Sequence, residues 1–125
     1  MGLIADLCSV YMVYIRIVQR DEHFLYWPLF KGQLISEGFL TLPKGEVKRL
    51  IVYIHGGPYG IRDYDQYDFS EQYLASKGAA VLKVNYRGSG GYGKNFMEDA
   101  YKEWGGTLLN DIADATIAVQ NELGI

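Results

Sequence analysis

The sequence has 125 residues, which allows one domain and is too short for a large enzyme fold such as an eight-stranded α/β barrel. Hydrophobic residues make up 49% and charged residues 22% of the chain, and this globular composition excludes a disordered protein. The net charge of −3 gives no basic field for nucleic acid or anionic lipid, so neither is an expected partner. A single cysteine, Cys8, excludes an internal disulfide and a multi-cysteine metal site.

The first third of the chain predicts β-strands. The apolar stretch from Leu3 to Val18 is interrupted by charges and is shorter than the roughly 20 residues of a spanning helix. No basic segment precedes it, so we expect no signal peptide or anchor and a cytoplasmic protein. β-Branched and aromatic residues predict strands at 11–18 and 24–27, and a third strand at 34–42 that is interrupted at Gly38.

From residue 48 onward, strands and helices are predicted to alternate. The predicted elements are a strand at 50–54 that is apolar throughout and buried on both faces, a helix at 69–77, a strand at 80–85, a short helix within 95–103 and a helix at 108–123. The alternation predicts an α/β fold with a mostly parallel sheet and flanking helices. Ligands in such folds bind at the carboxyl ends of the strands, where both glycine clusters of the chain, 56–60 and 88–93, are placed.

Two of these helices carry recognisable end signals. Asp68 is a suitable N-cap for the helix at 69–77, with Glu71 as its capping-box partner and Gly78 just beyond its end. The helix at 108–123 has apolar residues at helical spacing, Asp111 on its surface, and Gly124 as its cap.

The glycine cluster at 88–93 partly fits three catalytic patterns. Residues 88–93 satisfy G-x-G-x-x-G, but the acid at the expected distance, Asp111, falls in a helix. Residues 88–94 satisfy G-x-x-x-x-G-K, but Asn95 stands where a phosphate-binding loop needs Ser or Thr. Residues 87–91 are similar to the nucleophile elbow G-x-S-x-G, but Arg87 replaces the first glycine. The simplest interpretation is a loop that turns the chain off a strand.

The cluster at 55–58 is more specific. His55, Gly56, Gly57 and Pro58 follow directly on an apolar strand, as the HGG-type loop of α/β-hydrolases does. Such a loop supplies a backbone N–H to the negative oxygen of an acyl-transfer intermediate, and glycines let the backbone reach that oxygen. An ordinary strand-to-helix turn, with the histidine bonded to loop backbone, is the alternative.

Several motifs in order resemble the prolyl oligopeptidase family, in particular its acylaminoacyl-peptidase and dipeptidyl-peptidase branches. They are I-V-Y-I-H-G-G-P at 51–58, N-Y-R-G-S-G-G-Y-G at 85–93, W-G at 104–105, D-I-A-D-A at 111–115 and G-F-L-T-L-P at 38–43. The resemblance covers about residues 31–125 and implies the N-terminal portion of an α/β-hydrolase peptidase domain. Residues 1–30 are then an N-terminal β segment of uncertain origin, such as the remnant of a β-propeller.

The resemblance implies serine-dependent hydrolysis of short peptides, with no cofactor. Carried over residue by residue, Gly57 offers its N–H to the oxyanion and Gly56 shapes the approach. Some members have Tyr at the position of His55 and use its hydroxyl as a second donor. A carboxylesterase or lipase fragment is the nearest alternative, because the same loop serves any acyl transfer. A nucleotide-binding module that uses the loop from Gly88 to Lys94 is the alternative from another class.

A catalytic triad is not expected within these residues. None of the five serines (Ser9, Ser36, Ser70, Ser76 and Ser89) lies in G-x-S-x-G. Both histidines, His23 and His55, precede the place of a nucleophile, so the order Ser, Asp, His cannot be built. We therefore expect a fragment that ends before its nucleophile and is inactive alone. Asp63, Asp65 and Asp68 lack the glycine and distal glutamate of a calcium loop, so no metal site is expected.

Overall fold

Five strands and three helices make up the described part of the chain. The computed structural model describes residues 10–20, 23–26 and 33–125, with side chains from residue 37 onward. The strands are β1 (Val10–Arg20), β2 (His23–Tyr26), β3 (Gln33–Pro43), β4 (Arg49–Val52) and β5 (Ala79–Asn85), and the helices are α1 (Phe69–Ser76), α2 (Lys94–Glu98) and α3 (Thr107–Leu123). The order along the chain agrees with the predicted elements.

The strands form a single sheet with the order β2-β1-β3-β5-β4. β4 and β5 are parallel, as the crossover through α1 requires, but the β1–β2, β1–β3 and β3–β5 pairs are antiparallel. The expectation of a mostly parallel sheet is therefore met only where a helix connects two strands. β1 and β2 are only two residues apart in the chain, too few for the crossover that a parallel pair needs, so they pair antiparallel.

Two strands differ from their predicted form. β3 is not interrupted at Gly38, because this residue pairs with Ile15 on one side and Val84 on the other. β4 is shorter than predicted, and Tyr53 and Ile54 beyond its end are more than two-fifths exposed. The predicted burial of 50–54 on both faces is wrong because β4 lies at the edge of the described sheet, with β5 as its only neighbour there.

Helix α1 begins at the predicted cap. The Asp68 side chain accepts a hydrogen bond of 3.0 Å from the Glu71 N–H, and Gly78 follows the helix with φ of +84°. Glu71 does not return a capping-box bond to Asp68. Its side chain is buried and forms an ion pair with Lys83 and accepts a hydrogen bond from Thr41, because α1 packs over strands β5 and β3.

Helix α3 covers the sheet with the predicted apolar face. Leu108, Ala115 and Val119 are buried in one cluster with strand residues such as Leu82 and Val84. Asp111, expected on the surface, is instead buried on this face, and Gly124 ends the helix with φ of +68°. The core thus lies between the sheet and its helices, and the carboxyl ends of β4 and β5 are left at one edge.

The N-terminal strands belong to the same sheet as the rest of the described chain. The proposed boundary between residues 30 and 31 falls between β2 and β3, which lie in one sheet with β1 between them. Cys8 and the start of the apolar stretch from Leu3 lie outside the described residues. No helix among the described residues has the length and apolarity needed to cross a membrane.

Candidate active site

Two loops meet at the carboxyl ends of the parallel strands. The first loop, residues 55–62, follows β4, and the second loop, residues 86–93, follows β5. Backbone hydrogen bonds of 3.0 Å join them, from the Gly60 N–H to the Gly88 carbonyl and from the Gly90 N–H to the Ile61 carbonyl. Parallel neighbours end at the same edge of a sheet, so the two glycine clusters become one structural unit.

The glycines of the second loop allow close packing. A Cβ atom on Gly90 would lie 2.6 Å from the Gly60 carbonyl oxygen, and one on Gly88 would lie 2.9 Å from the Ala100 Cβ. The Gly88 N–H bonds to Phe96 and the Ser89 N–H bonds to Tyr86, so these donors are already used. A phosphate-binding loop needs free N–H groups, and those of Gly88, Ser89 and Gly90 at the start of the candidate nucleotide site are unavailable.

Asp111 is committed to Arg87 and cannot serve as a ribose-binding acid. Its carboxylate accepts hydrogen bonds from the Arg87 guanidinium at 2.7 and 2.9 Å and from the Arg87 N–H at 3.0 Å. The side-chain bond to Asp111 is the main reason that the pKa of Arg87 is raised. This pair, in which Asp111 is buried and Arg87 is partly exposed, fixes the start of the second loop to helix α3.

The first loop has the opposite character, because its glycines are exposed. Gly57 has φ of +124°, a conformation that favours glycine, and no hydrogen-bond acceptor for its N–H is present among the described residues. Gly56 and Gly57 border an open apolar cleft of about 320 Å³. The cleft is lined by Ile54, Gly56, Gly57, Pro58, Tyr86, Trp104, Gly105, Leu108, Leu109 and Ile112.

His55 links the two loops. Its Nδ1 lies 2.8 Å from the Gly56 carbonyl oxygen, and its Nε2 lies 2.9 Å from the Ser89 Oγ. The imidazole stacks on the Tyr86 ring at a centroid distance of 4.7 Å, and the Tyr86 hydroxyl donates to the His55 carbonyl at 2.8 Å. The predicted bond of the histidine to neighbouring loop backbone is present, and the bond to Ser89 was not foreseen.

The contact between His55 and Ser89 has the distance of a nucleophile–base pair but lacks the other requirements. Ser89 is completely buried, so a substrate carbonyl carbon cannot reach its Oγ. The second nitrogen of His55 faces the Gly56 carbonyl, whereas a triad histidine is oriented by a carboxylate. The elbow interpretation of residues 87–91 is therefore wrong, and the pair is a structural contact.

Asp63 belongs to a buried polar network beneath the first loop. Asn85 holds its backbone, because the Asn85 side chain accepts from the Asp63 N–H at 2.8 Å and donates to the Asp63 carbonyl at 3.0 Å. The Asp63 carboxylate has one oxygen 3.9 Å from the Lys83 Nζ, and its other oxygen is buried without a hydrogen-bond partner. Burial raises the pKa of Asp63, and the nearby Lys83 cation opposes this increase.

The acidic residues at 63–68 have separate environments. Asp63 is in the network, Asp68 caps α1, and Asp65 is exposed. Within the part of the chain that the structure describes, no group of three His, Cys, Asp or Glu side chains is placed to hold a metal ion.

Comparisons with known proteins converge on one family. The sequence model of the prolyl oligopeptidase family matches residues 65–124. The chain is 46% identical over 66 residues to dipeptidyl aminopeptidase BIII of Pseudoxanthomonas mexicana. This alignment covers 53% of the chain and 9% of that protein. The uncomplexed acylaminoacyl peptidase of Pyrococcus horikoshii matches 96% of this chain and 18% of its own, with a TM-score of 0.73 and 28% identity.

A second solved structure carries a peptide-like ligand. An acylaminoacyl peptidase in complex with Z-Gly-Gly-Phe-chloromethyl ketone matches the same shares of the two chains, with a TM-score of 0.71 and 26% identity. The chain therefore spans less than a fifth of the length of each of these three proteins. The match to solved peptidases confirms the partial α/β fold.

Proposed function

Because the chain belongs to the prolyl oligopeptidase family, we propose that it contributes the oxyanion-hole loop of a serine peptidase that hydrolyses short peptides. The observation that carries this proposal is the Gly57 N–H, which stands at the carboxyl end of a parallel strand, exposed and without a protein acceptor. Attack on a peptide carbonyl places negative charge on its oxygen. A fixed N–H aimed at that oxygen stabilises the transition state by about 3–4 kcal/mol.

The neighbouring residues support this assignment. Gly56 is exposed and carries no side chain that would block the approach to the Gly57 N–H. The cleft beside the donor has an apolar lining, which lowers the local dielectric constant once a substrate fills it and so strengthens a hydrogen bond to a charged oxygen. His55 uses both ring nitrogens within the protein, so in this proposal it shapes the loop and is not a second donor to the oxyanion.

The nucleophile of the proposed reaction is not one of the serines whose side chains the structure describes. Ser89 is buried, and Ser70 and Ser76 lie on helix α1, away from the strand ends. In our proposal the full-length natural protein that carries these residues supplies the serine and its base from other parts of its sequence. Short peptides are the proposed substrates, in line with the peptide-like inhibitor bound to the related acylaminoacyl peptidase.

A fluorophosphonate probe, which reacts covalently with activated serines, tests the proposal. We expect the full-length protein to be labelled and the isolated 125-residue chain to remain unlabelled. Hydrolysis of aminoacyl and dipeptidyl nitroanilides by the full-length protein, faster than hydrolysis of simple acyl esters, would separate a peptidase from an esterase. Labelling of the isolated chain, or no labelling of the full-length protein, would contradict the proposal.

The variant Gly57→Ala tests the donor itself. A Cβ on Gly57 would lie 2.8 Å from the Ile61 Cγ1, and φ of +124° disfavours any L side chain, so the loop must move. We expect kcat to fall by about 100-fold, the effect of removing one oxyanion donor. Gly45→Ala is the matched control, because nothing lies within 4 Å of its added Cβ and the residue is far from the cleft lining.

A further inference from the structure

The contacts of His55 leave one arrangement of protons for the neutral ring. The Gly56 carbonyl can only accept, so the proton of the neutral imidazole is on Nδ1. The Nε2 atom is then an acceptor, and the Ser89 hydroxyl donates to it. A directed chain of two hydrogen bonds results, from Ser89 through His55 to the carbonyl of Gly56.

This chain of bonds ends on the peptide group that contains the oxyanion donor. The Gly56 carbonyl and the Gly57 N–H belong to the same planar unit, and in a trans peptide they point in opposite directions. The bond from His55 Nδ1 to the carbonyl therefore fixes the direction of the N–H. Glycine on both sides of the unit would otherwise let the plane rotate, because glycine occupies several backbone conformations at similar energy.

Ser89, the first donor in this series of two hydrogen bonds, is held rigidly. The residue is completely buried, its N–H donates to the Tyr86 carbonyl at 3.0 Å, and the flanking Gly88 and Gly90 are bonded to the first loop. Tyr86 holds His55 a second time, through ring stacking and a bond to its carbonyl. The imidazole thus has little freedom to leave its position between the loops.

We propose that Ser89 and His55 are positioning residues that hold the Gly56–Gly57 peptide group with its N–H directed toward the substrate oxygen. This inference rests on the proposed function of the loop and goes beyond it. It assigns a role to the buried serine of the second loop, which does not touch substrate. It also explains why the two loops are joined, because the second loop orients the first.

Three variants of the full-length protein test the inference by separating the two bonds. Ser89→Ala removes the first donor. His55→Gln extends an amide toward the Nε2 position and loses the bond to Gly56, whereas His55→Asn places an amide near Nδ1 and can keep it. Ser76→Ala is the matched control, because its exposed hydroxyl donates at 2.7 Å to the Tyr73 carbonyl within helix α1.

The expected result is a change in kcat without a change in KM. We expect His55→Gln, which loses the bond to Gly56, to lower kcat by about 10-fold, less than full loss of an oxyanion donor. Ser89→Ala and His55→Asn lose only the bond between positions 55 and 89 and should each lower kcat by about three-fold, and the affinity for a peptide boronate that mimics the tetrahedral state should fall in parallel with kcat.

Two results would overturn the inference: unchanged kcat in Ser89→Ala and His55→Gln, or equal losses in His55→Gln and His55→Asn. Should Ser89→Ala fail to fold, the two His55 variants decide, because His55 lies at the partly exposed side of the contact. Failure of the proposed function looks different, since the wild-type full-length protein would then not react with a fluorophosphonate at all.

Discussion

The two glycine-rich loops lie side by side and use glycine for opposite purposes. In the second loop the absence of a side chain lets backbone pack on backbone, and the N–H groups of Gly88, Ser89 and Gly90 are all bonded within the protein. In the first loop Gly57 is exposed and borders a cleft, and its N–H has no acceptor among the described residues. The donors of residues 88–90 are thus satisfied whereas that of Gly57 is not, and this difference between the loops can be tested by substitution.

The largest effect is expected where the second loop is tied to α3. Arg87→Ala would leave the Asp111 carboxylate, whose side chain has no exposed area, without its cation. Removing one partner of a buried pair costs about 3–5 kcal/mol of unfolding free energy. Urea unfolding measures the change. Lys94→Ala is the control, because the pair of Lys94 with Glu98 is exposed and should change stability by less than about 0.5 kcal/mol. A loss below about 1 kcal/mol for Arg87→Ala would show that the pair is not structural.

A matched pair of alanine substitutions compares the loops directly. Gly90→Ala forces a Cβ against the Gly60 carbonyl oxygen at 2.6 Å, and we expect it to destabilise the protein by about 1–3 kcal/mol. Gly56→Ala meets nothing within 4 Å, and we expect its unfolding midpoint to stay near that of the wild type. Neither glycine has a positive φ, so the comparison isolates packing. Equal midpoints for the two variants would refute the packed state of the second loop.

The smallest effect concerns the buried carboxylate beneath the first loop. The pKa of Asp63 is raised in the folded protein, so the folded state binds more protons than the unfolded state just above the ordinary value of 3.8. Stability should therefore decrease as the pH rises through the folded pKa, and the full contribution should be present below 3.8. Asp63→Asn should remove this decrease from the pH profile of thermal unfolding. An unchanged profile would show that Lys83 fully compensates the burial.

Local signals in the sequence predicted the elements well. The apolar spacing of α3, the Asp68 cap and the glycines at 78 and 124 each act within a few residues, so they can be read without knowledge of the fold. The position of the first loop after a strand was also predicted correctly, because strand and loop are adjacent in the chain. The burial of Glu71 and Asp111 was not predicted, because each pairs with a cation at least 12 residues away in the sequence.

The site was harder to predict than the fold for the same reason. His55 and Ser89 are 34 residues apart, and each belongs to a motif with its own separate interpretation. Only the parallel pairing of β4 with β5 brings the two loops together. A signal was present in the two glycine clusters at the ends of neighbouring strands, but the sequence does not specify which side chains bridge them.

The strand order has a consequence for the way this sheet assembles. β5 lies between β3 and β4, although it follows both of them in the chain. Glu37 pairs with Asn85 and Thr41 with Val81, so the inner edge of β3 gains its partner only from residues 40 to 48 positions later. Contacts this distant in sequence slow folding, because the intervening loop must close before they form. During synthesis the facing edges of β3 and β4 therefore remain unpaired until β5 inserts between them and pairs with both.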